Sequence, residues 1–247
     1  MVQETYLVGK SAFLDENYWT AAIKRPDWYM EFVPYMESAH QQFPPGSKER
    51  SQLHRVWRHF FEEALAQGRV ALASNGPDLD IERQPLDTIV IHHTGHLNYR
   101  LSYMEATQLL NIYAPYYTNP TIKEERGLKG QAIWSGHLRN GRQTFLCYHW
   151  LMRMDGSFER LLADDQIGWH AGNWDINKRS IGICLDNDYE NQDPAPEILQ
   201  KLAAHIKRYY PEVDAKDIIG HCEAKPGTLC PGSHFMGGWK PKFLKLL

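Results

Sequence analysis

The clearest pattern in the chain lies between Ser47 and Gly68, where SKERSQLHRVWRHFFEEALAQG sets Leu53, Val56, Trp57, Phe60, Phe61 and Leu65 at helical spacing. A turn of helix holds about 3.6 residues, so these side chains form one apolar stripe, and Gly68 is a natural stop. A second amphipathic helix is predicted from Pro196 to Tyr210, with Ile198, Leu199, Leu202, Ile206 and Tyr209 on its apolar face. Between them lie strand patterns. LDTIVIHHTG is a β-branched run, and neighbours on a strand point to opposite faces. Ile89, Ile91 and His93 therefore share one side, and Val90, His92 and Thr94 the other. Only one of the two histidines can enter any single site.

Turn chemistry divides the middle of the chain. Asn140-Gly141 predicts a hairpin between AIWSGHLR and RQTFLCYHWLMRM, and Asp155-Gly156 turns the latter into SFERLL. Ser102 and Glu105 form a capping box ahead of YMEATQLLNIY, a helix ending before Pro115. IGWHAGNW reads as a loop and SIGICLD as a buried strand. Strands alternating with helices, with hairpins among them, predict an α/β or α+β domain: a mixed central sheet flanked by helices.

The first 46 residues are rich in aromatics, among them Tyr18, Trp19, Trp28, Tyr29, Phe32 and Tyr35. Rings at this density do not stay in water, so the segment is expected to pack onto the Ser47–Gly68 helix and the body of the protein. Core packing is the ordinary fate of such rings; a glycan-stacking surface is the alternative. SNGPDLDIERQPLD, residues 74–87, is the one stretch with linker chemistry. The expected division is a helical, aromatic-rich extension over 1–85, docked on a domain spanning 86–247.

Composition narrows the function without choosing it. The chain has 247 residues, 43% hydrophobic and 23% charged, with a net charge of -3. With no basic tail, nucleic acid is not an expected partner. No run of about 18 apolar residues predicts a membrane span. The N-terminal residues lack a basic segment followed by an apolar one, so the protein reads as cytoplasmic when synthesised. Four cysteines do not make a disulfide framework at this size. Cys147 and Cys184 sit in apolar runs and read as buried small hydrophobes.

Cys222 and Cys230 fall in GHCEAKPGTLCPG, residues 220–232, together with His221. Catalytic zinc uses three protein ligands and leaves one position open, and imidazole and thiolate both suit it. The Pro226-Gly227 turn can bring His221 and Cys230 together. A third ligand must come from elsewhere, with His92 at a strand end the best candidate. On spacing alone, a loop that merely contains soft ligands remains the alternative.

Five pieces in order, IVIHHT, YHWLMRMDGSFERL, IGWHAGNW, SIGICLDNDY and IGHCEAKPGTLCPG, resemble the zinc-dependent N-acetylmuramoyl-L-alanine amidases. That group includes the peptidoglycan recognition proteins and the phage lysozymes that are amidases. The resemblance covers about residues 86–247 and leaves residues 1–85 outside it. It implies that His92, His221 and Cys230 bind zinc and that Cys222 faces away as a structural residue. It implies catalytic roles for Tyr148, near the metal, and for Thr228, which stands where phage and cytosolic relatives often carry Lys. Thr can hydrogen-bond but is no cation, which leaves the protonating group open. Lys225 is close by but out of register. His170, Asn173 and Trp174 fall on the loop that resembles the substrate-binding rim. Asp186 and Asp188 read as solvated turn acids, Glu223 as a salt-bridging residue, and His93 as a core or supporting histidine.

The implied activity is hydrolysis of the amide between N-acetylmuramic acid and L-alanine in peptidoglycan or its fragments. Two other readings are a peptidoglycan receptor without catalysis, and a structural zinc closed by Cys222 or His93. Within the enzyme reading, a cytoplasmic recycling enzyme and a phage-type lysin released to the wall are both open.

Overall fold

The structure, a computed structural model, describes residues 13–44, 47–95 and 130–247. The capping box at Ser102 and Glu105, with the helix expected after it, lies outside these residues. The chain divides into two compact units. One takes the described residues up to Pro77 and from Gly130 to Phe145; the other runs from Asp78 to Gly95 and from Leu146 to Leu247.

The first unit is helical. Helices α1 (Glu16–Ala22), α2 (Tyr29–Gln42) and α3 (Lys48–Ala66) enclose an aromatic core. Asp15 and Ser47 cap α1 and α3, accepting the free amides of Tyr18 and Arg50 in each first turn. Beyond α3, Gly68 adopts φ 69°, a left-handed conformation that glycine takes without a Cβ penalty. All six predicted stripe residues of α3 are buried. Trp28 stacks on Phe61 at 5.1 Å between ring centroids, and Phe32 meets Phe61 edge-on at 4.6 Å. The rings of Trp19, Trp28, Tyr29 and Phe32 are core, which removes them as a sugar-stacking surface; Tyr18 is the exposed exception. Asn140 and Gly141, at φ 53° and 72°, join two-residue strands β2 (Leu138–Arg139) and β3 (Arg142–Gln143). The expected turn is present, but its strands are far shorter than the sequence suggests.

The second unit is built on a five-stranded mixed sheet among the described residues. Its strands are β1 (Thr88–His93), β4 (Trp150–Met152), β5 (Phe158–Arg160), β6 (Ser180–Leu185) and β7 (Ile218–Gly220), in the order β5-β4-β6-β1-β7. Strands β4, β6, β1 and β7 run parallel, and β5 pairs antiparallel with β4. Every residue of β6 is buried, as expected of a parallel strand covered on both faces. On one face lie Ile89, Ile91, Ile181 and Ile183, under α5 (Pro196–Tyr209) and the aromatic trio Phe235, Trp239 and Phe243. The apolar face of α5 uses Leu199, Leu202, Ala203 and Ile206 with Tyr210 beyond its end, while Tyr209 is 47% exposed. That departs from the expected stripe by one residue. The opposite face carries Val90 and Cys184, and near the ends of β1 and β7 it carries the polar cluster described next.

No helix among the described residues is long and apolar enough to cross a membrane.

Candidate metal centre

Strand alternation aims His92 away from the α5 face. Its ring lies 5.0 Å from Tyr148 and 4.7 Å from His221, centroid to centroid. His221 opens the short helix α6 (His221–Ala224) directly after β7. Because β7 pairs in parallel with β1, with Ile91 opposite Gly220, the histidines that follow each pair emerge side by side. Cys230 returns through the Pro226-Gly227 turn, where Gly227 has φ 93°. The Cys222 amide donates to the Cys230 carbonyl at 2.8 Å and closes the loop.

One donor atom from each of His92, His221 and Cys230 lies within 4.8 Å of the others, the only such group of metal-binding type among the described residues. The atoms facing each other can be named. His92 Nδ1 stands 3.8 Å from Cys230 Sγ, and its Nε2 is 3.0 Å from His170 Nδ1. The His221 ring donates an N–H to the Ala171 backbone carbonyl, leaving a buried Nε2 with no hydrogen-bond partner. A buried, unpartnered imidazole nitrogen beside a second imidazole and a thiol is what a soft-donor cation site requires. The donor set fits zinc, and three ligands leave a fourth position open.

Electrostatics agree with neutral histidines. Burial, with its neighbours His170, His221 and His93, holds His92 well below the usual histidine range. Burial first, then the Lys225 charge, lowers His221. Burial pushes the Cys230 thiol up to about 12, so without a cation it stays protonated. A bound divalent charge reverses that preference.

The remaining expected residues have various fates. Half-buried Tyr148 packs against Leu146, Leu151, Leu161 and Leu162 with its ring beside His92. Thr228 Oγ1 accepts the Cys230 amide at 3.2 Å. His170 differs from a rim residue: it is 5% exposed, and Nδ1 faces His92 while Nε2 faces Ser180 Oγ at 3.2 Å. Both ring nitrogens are engaged inside the protein. Asn173 caps α4 (Trp174–Asn177), its Oδ1 accepting from Asp175 and Ile176. Trp174 donates its indole N–H to Glu82 at 2.9 Å and packs against Trp169. These bonds give both residues a local structural job.

His93 Nδ1 accepts the Tyr189 amide, a supporting role. Asp186 is buried and paired with Arg153 at 2.9 Å rather than solvated. Glu223 accepts from the Gly220 amide and pairs with Lys240. Sequence reasoning did not single out Ala171 or Ser180 as supports of the cluster. The glycines around them, Gly168 and Gly182, were the available signal.

Residues 82–233 match the family described as N-acetylmuramoyl-L-alanine amidase. A search of curated protein sequences finds no match. Among solved structures, similarity is found to the N-acetylmuramoyl-L-alanine amidase LysC from Clostridium intestinale URNW, at 19% identity and TM-score 0.41, over 71% of this chain and 96% of that one. Wild-type Drosophila PGRP-LB is similar at 20% identity and TM-score 0.36, over 63% and 80% of the two chains.

Proposed function

The chain belongs to the N-acetylmuramoyl-L-alanine amidase family, and from that premise we propose that it is a zinc hydrolase. The bond cleaved is the amide between N-acetylmuramic acid and L-alanine, in peptidoglycan or its fragments. The observation that carries this reading is the convergence of His92, His221 and Cys230 within 4.8 Å. Their donor atoms belong to two segments far apart in sequence, and one of them, His221 Nε2, is buried without a partner.

When bound, zinc supplies a Lewis acid that polarises a carbonyl and activates water at neutral pH. The protein's own residues do the rest. His92 Nδ1, His221 Nε2 and the Cys230 thiolate would hold the cation. The Thr228 oxygen accepts the Cys230 amide, so its hydroxyl proton is free to point outward as a donor. Tyr148, seated beside His92, offers a second hydroxyl. In this reading the two donate to the carbonyl oxygen of the scissile amide as negative charge develops on it. Neither is a cation at neutral pH, so both act as hydrogen-bond donors.

The deciding experiment measures zinc stoichiometry by elemental analysis and identifies products of digested cell wall by mass spectrometry. One zinc per chain and stem peptides beginning with a free L-alanine amine are expected. Zinc-free protein that binds wall fragments without cleaving them would instead identify a receptor. Comparing intact sacculi with soluble muropeptides then separates a lysin from a recycling enzyme.

A further inference from the structure

Two histidines, His149 and His170, lie behind the candidate ligands, and the hydrogen bonds around them constrain where their protons sit. His149 is fully enclosed: its Nδ1 accepts the Gly182 amide at 3.0 Å, and its Nε2 lies 2.9 Å from the Gln166 carbonyl. An amide can only donate and a carbonyl only accept, so His149 carries its proton on Nε2. His170 fills the space between His149 and His92, with ring centroids 5.9 Å and 5.1 Å away. It fits because β6 has a glycine there. A Cβ on Gly182 would come within 2.7 Å of His170 Cγ.

The proton arrangement of His92 then follows from its two neighbours. If Nδ1 gives its lone pair to a cation beside Cys230, the single proton of neutral His92 must sit on Nε2. That N–H meets His170 Nδ1 at 3.0 Å, so Nδ1 is the acceptor and the His170 proton is on Nε2. Its acceptor is Ser180 Oγ at 3.2 Å. The opposite arrangement, running from the Ser180 hydroxyl through His170 to His92 Nε2, puts a proton on His92 Nδ1 and blocks the metal.

We propose that His170 is a positioning residue, which selects the metal-binding tautomer of His92 and fixes its ring by accepting His92 Nε2–H, with Ser180 holding His170 in turn. This rests on the zinc reading of the same site. It replaces a substrate-rim role for His170, whose ring has no polar atom left for a substrate. Metal-bound histidines ordinarily direct the second N–H to a carboxylate, carbonyl or water. Here another neutral imidazole takes that place, so the ligand gains orientation without an added negative charge.

The test is zinc affinity, read by competition with a chromophoric chelator, for His170→Leu and His170→Asn. Leu removes the acceptor; Asn keeps an amide oxygen near the place of Nδ1. His170→Leu is expected to weaken zinc binding about 10- to 100-fold, the usual effect of losing such a partner. His170→Asn should recover most of the loss. Nitrogen-15 NMR of the zinc-loaded wild type is the second measurement, and it needs no variant to fold. It should find protons on Nε2 of both His92 and His170. Wild-type affinity in a folded His170→Leu, or a proton on His170 Nδ1 in the zinc form, overturns this inference and leaves the zinc reading standing. Failure of the wild type to bind zinc overturns both.

Discussion

His92 Nδ1 and Cys230 Sγ lie 3.8 Å apart although 138 residues separate them in sequence. That distance is loose for a hydrogen bond to sulfur and close to what two ligands of one cation require. The protonation states on either side make a quantitative statement. Both candidate histidines are depressed and neutral at pH 7, while the thiol is held protonated near 12. Zinc binding at pH 7 should therefore release about one proton, and it should come from Cys230. Calorimetric titration in buffers of different ionisation enthalpy counts that proton. In Cys230→Ala both zinc retention and wall cleavage should be lost; wall cleavage at the wild-type rate would remove Cys230 from the site.

Tyr148→Phe keeps the ring against Leu151 and Leu161 and deletes only the hydroxyl. Turnover is expected to fall about 100-fold, the scale of one lost oxyanion donor, with one zinc still bound. Thr228→Val should show a similar fall and, because the Cys230 amide loses its acceptor, a modest loss of zinc affinity as well. Zinc content measured beside steady-state rates distinguishes the two variants. Loss of zinc from Tyr148→Phe would make that residue a support of the metal and not a catalytic group.

Sequence pattern located the three ligand candidates because strand alternation and family spacing both act locally. Alternation alone left room for only one of His92 and His93, and the structure turns His92 toward His221 while His93 serves the Tyr189 amide. The fate of His170 was not legible. Its burial depends on a glycine in β6, and no local periodicity reports a gap opened by a missing side chain in a neighbouring strand. The long strand expected from RQTFLCYHWLMRM failed for a related reason. At the end of the paired stretch the His149 ring, not a backbone carbonyl, takes the Gly182 amide, so regular pairing with β6 begins only at Trp150. On α5 the pattern placed Tyr209 on the apolar face, and the structure buries Tyr210 in its stead. Tyr210 receives the Trp150 indole N–H at 2.6 Å and donates to Asp164 at 2.8 Å. Those partners come from distant segments.

Gly232 closes the loop that carries Cys230 at φ 129°, and a Cβ there would overlap the Tyr189 carbonyl oxygen. Backbone on both sides leaves no flexible group to give way. Gly232→Ala is expected to destabilise the protein by about 3 kcal/mol and to weaken zinc binding, since Cys230 lies two residues away. Denaturant unfolding of the zinc-free protein separates the two effects. A stability change below about 1 kcal/mol would mean that the loop relaxes around the new methyl.

Acid sensitivity should follow from two buried histidines packed beside the sheet, His149 just before β4 and His205 on α5. Burial lowers His149 to about 3 from an ordinary value near 6.5, and it lowers His205, stacked flat on Phe158, to about 4. In each case the unfolded chain binds the proton more readily than the folded one. The stability these neutral rings contribute is therefore complete above pH 6.5 and drains away as pH falls, through about 4 for His205 and about 3 for His149. For the fully enclosed His149 the loss approaches roughly 4 kcal/mol by pH 3. Urea unfolding of zinc-free protein at pH 7 and pH 5 should show a clear drop in midpoint. His149→Leu should lower stability at pH 7, because it leaves the Gly182 amide and the Gln166 carbonyl without their partner, while flattening the decline between pH 6.5 and pH 4. An unchanged decline in that variant would assign the acid sensitivity to other groups, with His205 the first to test.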